Sequence, residues 1–167
     1  MKLYTYQINN DGVDRIGVEC SGWRGMLWPL EAFGLKFRDM HDLICHITPA
    51  QLSRIADAEN ATEGNALRLT NVRLRSPIPH PEQDNVRLGI NYADHAVESA
   101  RFHEQSFLLS REKATYFSKR AYETTGSGDP IPSYEGLVTE LDYEVELGVV
   151  IGKDCRKVSQ SEAPNYI

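Results

Sequence analysis

The stretch LDYEVELGVVIG, residues 141–152, decides how this chain is read. Side chains alternate along a strand, so Leu141, Tyr143, Val145, Leu147, Val149 and Ile151 fall on one face. Asp142, Glu144, Glu146 and Gly148 fall on the other. The spacing predicts a strand with one apolar face, and its fold follows from what the acidic face meets. A half-buried antiparallel strand turns such a face to water. A site turns it toward a cation, because same-face residues lie roughly 7 Å apart at Cα and long carboxylates can converge. Val150 interrupts the polar face, so that face is not simply a solvated one. Hard carboxylate oxygens favour Mg²⁺, Mn²⁺ or Ca²⁺ over zinc.

Working outward, the chain of 167 residues has room for one domain, or for a small domain joined to part of a larger one. Its 41% hydrophobic and 25% charged content is that of a globular protein. The 24 acidic against 18 basic side chains, a net charge of −6, argue against nucleic-acid binding, which attraction to phosphate dominates. MKLYTYQINNDG lacks the apolar core of a secretory signal, and no run has the length of a membrane span. Cys20, Cys45 and Cys155 give neither a disulfide framework nor a zinc spacing, so reduced thiols and a cytoplasmic location are expected. Asn60-Ala61-Thr62 matches a glycosylation acceptor by chance.

Residues 2–8 and 13–20 read as strands of a hairpin turned at Asn9-Asn10-Asp11-Gly12, with Asp-Gly supplying the positive φ angles. Residues 21–47 show no clear period. Thr48 then caps a helix, with Pro49 in the first position and Gln51 completing a capping box. Leu52, Ile55 and Ala56 form its apolar stripe, and polar residues 59–65 end it. ALRLTNVRLR, residues 66–75, alternates like a strand. Pro77, Pro79 and Pro81 make a stiff connector, placing a boundary between a domain of residues 1–76, a linker of 77–84 and a second module of 85–167. In that module residues 85–90 read as a strand, 91–107 as a helix entered at Asn91, and 114–119 as a strand. The loop TTGSGDPIPSYEG is no phosphate-binding loop, because no Gly-Lys-Ser/Thr follows. The pattern as a whole is α+β, mainly β.

A second constellation is NYADHAVES, residues 91–99. Asn91 as cap puts Asp94 at the third position. His95 and Glu98 lie three apart on one helical face, where a carboxylate can orient an imidazole that activates water. The plainer alternative is a surface pair contributing a few tenths of a kcal/mol. His103 and Glu104 form a less suggestive pair. His41 and His46 have no register that joins them and are read as structural. Lys119, ending ATYFSK, suits an anionic substrate or is an ordinary surface lysine.

In order, these segments resemble the fumarylacetoacetate hydrolase family. The blocks are MKLYTYQI…RIGV, VRLRSPIPHP, LGINYADHAVES, YFSK, LDYEVELGVVIGKDCRKVS and EAPNYI. The resemblance covers nearly the whole chain, most weakly over residues 21–65. It implies a small N-terminal domain followed by the first part of a mixed β-sandwich roll that holds a divalent ion. It also implies that Glu144 and Glu146 are metal ligands for Mg²⁺ or Mn²⁺, and that His95 and Glu98 are the water-polarising dyad. Lys119 is then substrate-binding, with Arg120 standing where proline is usual, and Asp94 matches an acidic position near the metal in some members.

The implied chemistry is hydrolysis or lysis of carbon–carbon bonds in small oxo acids, such as acylpyruvate, fumarylpyruvate or 2-oxo-hept-ene-dioate types. Related members decarboxylate, isomerise or tautomerise oxo acids. The resemblance further implies a third metal ligand and much of a homodimer surface beyond Ile167. On that expectation the chain is inactive alone, or is an interaction module or one piece of a split enzyme. No membrane partner is expected.

Overall fold

A computed structural model describes residues 1–20, 22–56, 65–103 and 114–167, with backbone alone for 99–103. The glycosylation-like triplet, the end of the second helix and Glu104–Phe107 therefore lie outside the described residues. Strand and helix are mixed in an α+β arrangement. Two compact units are formed, residues 1–79 with 125–167, and residues 80–124.

The first unit is built on a five-stranded antiparallel sheet. Its strands are β1 (Lys2–Gln7), β2 (Arg15–Glu19), β3 (Met26–Pro29), β4 (Leu67–Arg68) and β5 (Arg73–Leu74), in the order β4-β3-β2-β1-β5. The expected hairpin is present, with Leu3 opposite Val18 and Thr5 opposite Ile16. Its turn differs from the expectation in one respect. Asn9 and Asn10 both have positive φ (51° and 56°), and the Asp11 amide donates to the Ile8 carbonyl at 3.0 Å. That is the type I′ pattern, for which Asn is well suited. Asn-Asn thus makes the reversal. Asp11 instead accepts from the Val13 amide and pairs with Arg15 at 2.8 Å, while Gly12 takes φ 74°.

Residues 66–75 are not one strand. The 3₁₀ turn Leu69–Asn71 splits the run, so β4 pairs with β3 on one side of the sheet and β5 pairs with β1 on the other. Four strand spacings of about 4.8 Å would set the borders of a flat sheet some 19 Å apart. Five residues from Arg68 to Arg73, three of them in a tight turn of about 2 Å rise each, cannot span that distance. The sheet must curl, and both of its faces become interior.

One face carries Leu3, Thr5, Ile16, Val18 and Trp28 by register, and the main core is built on it. Trp28 is 1% exposed and packs in one cluster with Val18, Leu30, Leu35, Met40, Leu43 and Ile55. Each such side chain contributes about 1.5–3 kcal/mol on leaving water. The helices α1 (Met40–His46) and α2 (Pro49–Ala56) supply the last three, Met40 and Leu43 from α1 and Ile55 from α2. Asp39 caps α1, accepting from the Asp42 amide at 2.8 Å. The capping box of α2 is as expected: the Gln51 amide donates to Thr48 Oγ1 at 3.3 Å and the Thr48 amide to Gln51 Oε1 at 2.9 Å. Its stripe is narrower than expected. Ile55 is buried, whereas Leu52 is 41% exposed and Ala56 is exposed.

The concave face carries Tyr4, Tyr6, Gly17, Glu19 and Leu27. Tyr6 and Leu27 are both 0% exposed. Gly17 is required by closeness. A Cβ there would lie 2.7 Å from Leu27 Cγ and 2.8 Å from its Cδ1. Glu19 closes one end, accepting from the Tyr4 hydroxyl and the Gly25 amide, each at 2.8 Å. The Gly25 amide, followed by the Tyr4 hydroxyl, holds this carboxyl below its ordinary range against the opposing effect of burial.

In the second unit, β6 (Asn85–Leu88) pairs antiparallel with β7 (Tyr116–Lys119), and α3 spans Ala93–His103. The helix begins two residues after Asn91. No described helix is long and apolar enough to cross a membrane.

Candidate functional site

His95 and Glu98 both lie on α3, three residues apart, with His95 partly buried beside the buried Ala96 and Glu98 exposed. One α-helical turn therefore brings them to one face, as the spacing predicts. The Ala96 amide donates to the Tyr92 carbonyl at 3.0 Å, so the helical backbone is already closed at this level. Asp94 is exposed in the first turn, where its negative charge complements the helix dipole. Lys119 is the last residue of β7, opposite Asn85, and is exposed. His95, Glu98 and Lys119 belong to the second unit.

Glu144 and Glu146 belong to the first unit, on a segment that differs from the sequence reading. Residues 141–150 carry no assigned strand, and every one of them is exposed. Tyr143, Val145 and Leu147 are 84%, 87% and 82% exposed, so the apolar face is as open as the acidic one. Alternation defines which side chains would share a face; a strand also requires a neighbour to exchange hydrogen bonds with. Among the described residues no strand takes that place.

Among the described residues no group of three His, Cys, Asp or Glu side chains is placed to hold a metal. Glu144 and Glu146 nevertheless have the donor chemistry of two ligands for a hard cation. Mg²⁺ is commonly held by one or two carboxylates with water and substrate oxygens completing the shell.

Sequence reasoning overlooked a set of contacts in TTGSGDPIPSYEG. Asp129 Oδ1 accepts from Arg73 Nε and Nη2 at 3.2 and 2.8 Å, and Oδ2 accepts from the Gly126 amide at 3.1 Å. Arg75 Nη1 lies 3.7 Å from Oδ2. The Arg73 hydrogen bond is the main cause that holds the Asp129 carboxyl below its ordinary range. A Gly-x-x-Asp spacing in a turn was the available signal, since Asp readily closes a turn onto a nearby amide. The histidines of MHDLICH are not joined to each other. His41 Nε2 lies 3.5 Å from Cys45 Sγ, and His46 Nδ1 lies 2.8 Å from Asp42 Oδ1, each within α1.

Residues 85–167 match the family model of the fumarylacetoacetate hydrolase C-terminal domain. That match spans all five candidate residues, and the chain belongs to the fumarylacetoacetate hydrolase family. It is similar to the oxaloacetate tautomerase YisK of Bacillus subtilis, with 36% identity over 118 residues, 70% of this chain and 38% of that protein. It is also similar to uncharacterized proteins of Staphylococcus aureus strains USA300 and N315, each 32% identical over 112 residues, 67% of this chain and 34% of theirs. The chain thus spans less than two fifths of the length of these relatives.

Proposed function

We propose that this chain belongs to a divalent-cation-dependent enzyme that enolises small oxo acids, with keto–enol tautomerisation of a 2-oxo dicarboxylate as its first-choice reaction. The observation that carries the reading is the family match over residues 85–167, which contains NYADHAVES, YFSK and LDYEVEL in order. The similarity to an oxaloacetate tautomerase favours tautomerisation over carbon–carbon hydrolysis or lysis.

In this reading Glu144 and Glu146 hold Mg²⁺ or Mn²⁺, which when bound supplies a Lewis acid for the substrate's oxo oxygen. His95, oriented by Glu98, takes a proton from the carbon next to the oxo group and returns it to oxygen or carbon, so no atom is gained or lost. Lys119 pairs with a substrate carboxylate. A hydrolytic member would direct the same dyad at water. Residues 85–167 then contribute the first part of a β-sandwich roll, in a cytoplasmic homodimer when the roll is whole.

A second reading is favoured by the exposed apolar residues of 141–151. A contiguous exposed apolar patch marks a surface that another polypeptide covers, and the chain then works as one piece of a split enzyme or as an interaction module. Mn²⁺ titration against thermal stability, run beside an ultraviolet assay of oxaloacetate enol–keto conversion, tests the first reading. Saturation to 100 times the dissociation constant raises stability by about 2.7 kcal/mol. No Mn²⁺-dependent shift, or one retained in Glu144→Ala, would rule out these glutamates as the ligands.

A further inference from the structure

Apart from the candidate site, α1 carries four side chains able to bind a proton or a metal: His41, Asp42, Cys45 and His46. The helical period sorts them into two i, i+4 pairs. His46 Nδ1 faces Asp42 Oδ1 at 2.8 Å. His41 Nε2 faces Cys45 Sγ at 3.5 Å. His41 is half-buried and Cys45 exposed, so solvent reaches the pair, while the buried Met40 and Leu43 of the same helix anchor it to the core. Cysteine spacing alone does not reveal this pair, because the second member is a histidine.

The separation is the one a tetrahedral ion requires. Zinc binds imidazole nitrogen at about 2.0–2.1 Å and thiolate sulfur at about 2.3 Å, which sets the N···S edge of its shell at about 3.5–3.6 Å. With Nε2 unprotonated, the thiol donates to it, and replacing that proton by an ion leaves both side chains where they already stand. Little ordering entropy then remains to be lost on binding. Thiolate with imidazole suits Zn²⁺, whereas Mg²⁺ and Mn²⁺ favour carboxylate oxygens. Two ligands four residues apart on a helix is also the spacing by which zinc is chelated in the His-Glu-x-x-His motif. The nearby carboxylates are already engaged. Asp39 accepts from Arg38 Nε at 2.7 Å and the Asp42 amide at 2.8 Å, and Asp42 accepts from the Arg38 amide at 2.8 Å besides facing His46. The Cys45 thiolate is therefore the charge that draws the cation.

We propose that His41 and Cys45 form a two-point site for Zn²⁺, with water completing a tetrahedral shell. On binding, the Cys45 sulfur gives its proton to the buffer, Zn–S and Zn–N bonds form, and displaced waters leave the ion. The ion staples one turn of α1 to the next and so tightens the helix that lends Met40 and Leu43 to the core. Its open positions distinguish it from the closed four-ligand shell of structural zinc. This site is independent of the reading of Glu144 and Glu146.

The test uses the whole reduced chain with Zn²⁺, and with Co²⁺ as its spectroscopic substitute. Co²⁺ is expected to give a near-ultraviolet thiolate-to-metal charge-transfer band that Zn²⁺ abolishes and excess Mg²⁺ leaves unchanged. The band is expected to be lost in Cys45→Ser, and Co²⁺ affinity to fall several-fold in His41→Gln, with unchanged far-ultraviolet dichroism. It is expected to persist in His46→Gln, in Glu144→Ala and in Cys155→Ser, which removes the other exposed cysteine. The last control is needed because a Cβ on Gly152 would lie 3.4 Å from Ile44 of α1, so the segment leading to Cys155 passes close to the helix. A second measurement needs no variant: Zn²⁺ is expected to slow iodoacetamide alkylation of Cys45 several-fold by peptide mass mapping, and to leave Cys155 unprotected. No band in wild type, a band kept in Cys45→Ser or lost in Cys155→Ser, or Cys45 alkylation indifferent to Zn²⁺ would each overturn the site.

Discussion

Replacing Gly17 by alanine tests whether the curled sheet is packed as tightly inside as its geometry requires. The added Cβ would stand 2.7, 2.8 and 3.1 Å from Cγ, Cδ1 and Cδ2 of Leu27. Real carbon contacts optimise near 3.5–4.0 Å, so Leu27 must retreat by most of an ångström. It is 0% exposed and its own strand is fixed between β2 and β4, so it has no free space to enter. Overpacking of this kind costs about 1–3 kcal/mol. Removing a strand glycine returns about 0.5–1 kcal/mol of backbone entropy. The expected net loss is about 1–2 kcal/mol, read as a lower urea midpoint at unchanged slope, with Trp28 fluorescence as the probe.

The decisive comparison is the double-mutant cycle with Leu27→Ala. That single change should cost about 2–5 kcal/mol through lost burial and a cavity. Adding Gly17→Ala to it should then cost almost nothing, since the new methyl enters the space Leu27 left. A coupling energy of about 1 kcal/mol or more is expected. Strict additivity, or a Gly17→Ala protein as stable as wild type, would refute the close packing of the concave face.

Three further outcomes follow from the same unit. The Tyr6 hydroxyl is buried with no hydrogen-bond partner among the described residues, so Tyr6→Phe should hold or raise stability by about 1 kcal/mol; a loss of that size would mean the hydroxyl is paired. Burial pushes the Tyr6 phenol up, so its contribution is full below about pH 10 and falls as pH rises toward the higher folded value. Tyr6→Phe should therefore flatten the alkaline limb of a stability profile. Glu19 has the opposite sign: its lowered folded value means stability present above the ordinary carboxylate range and lost as pH falls through that value. Glu19→Gln should weaken this acid dependence, and an unaltered acid limb would contradict the Gly25 and Tyr4 bonds. Thr48→Ala removes one half of the α2 capping box and should cost about 1 kcal/mol by denaturant titration, whereas no change would show the cap to be idle.

The legible parts of the fold were those governed by neighbours in sequence. The β1–β2 hairpin, the Thr48–Gln51 box, and the β6, α3 and β7 segments follow from local alternation, capping and period. Residues 21–47 resisted because β3, a 3₁₀ turn and α1 succeed one another within runs too short to establish a period. Residues 66–75 misled because alternation is indifferent to a three-residue turn that sends the two halves to opposite borders of a sheet. In the candidate site the dyad on α3 was readable from an i, i+3 spacing. The strand expected to carry the glutamates is absent from the described residues, because alternation does not supply the ladder partner a strand requires. Asp129's bond to Arg73 joins positions 56 apart and left no periodic trace.

The short run that touches both borders of the N-terminal sheet also sets an order of events during synthesis. The β1–β2 hairpin closes over a few residues and can form as soon as it is made. Pairing of Leu27 with Leu67, and of Tyr6 with Leu74, must wait until the second half of the domain has emerged. Contacts this distant in sequence form slowly, because chain entropy is lost before they are made. Until residues 67–74 arrive, Tyr6 and Leu27 face an open trough. The nascent chain is therefore most exposed to mispairing in the interval between residue 29 and residue 74, and a stall there, rather than later, should leave the most aggregation-prone product.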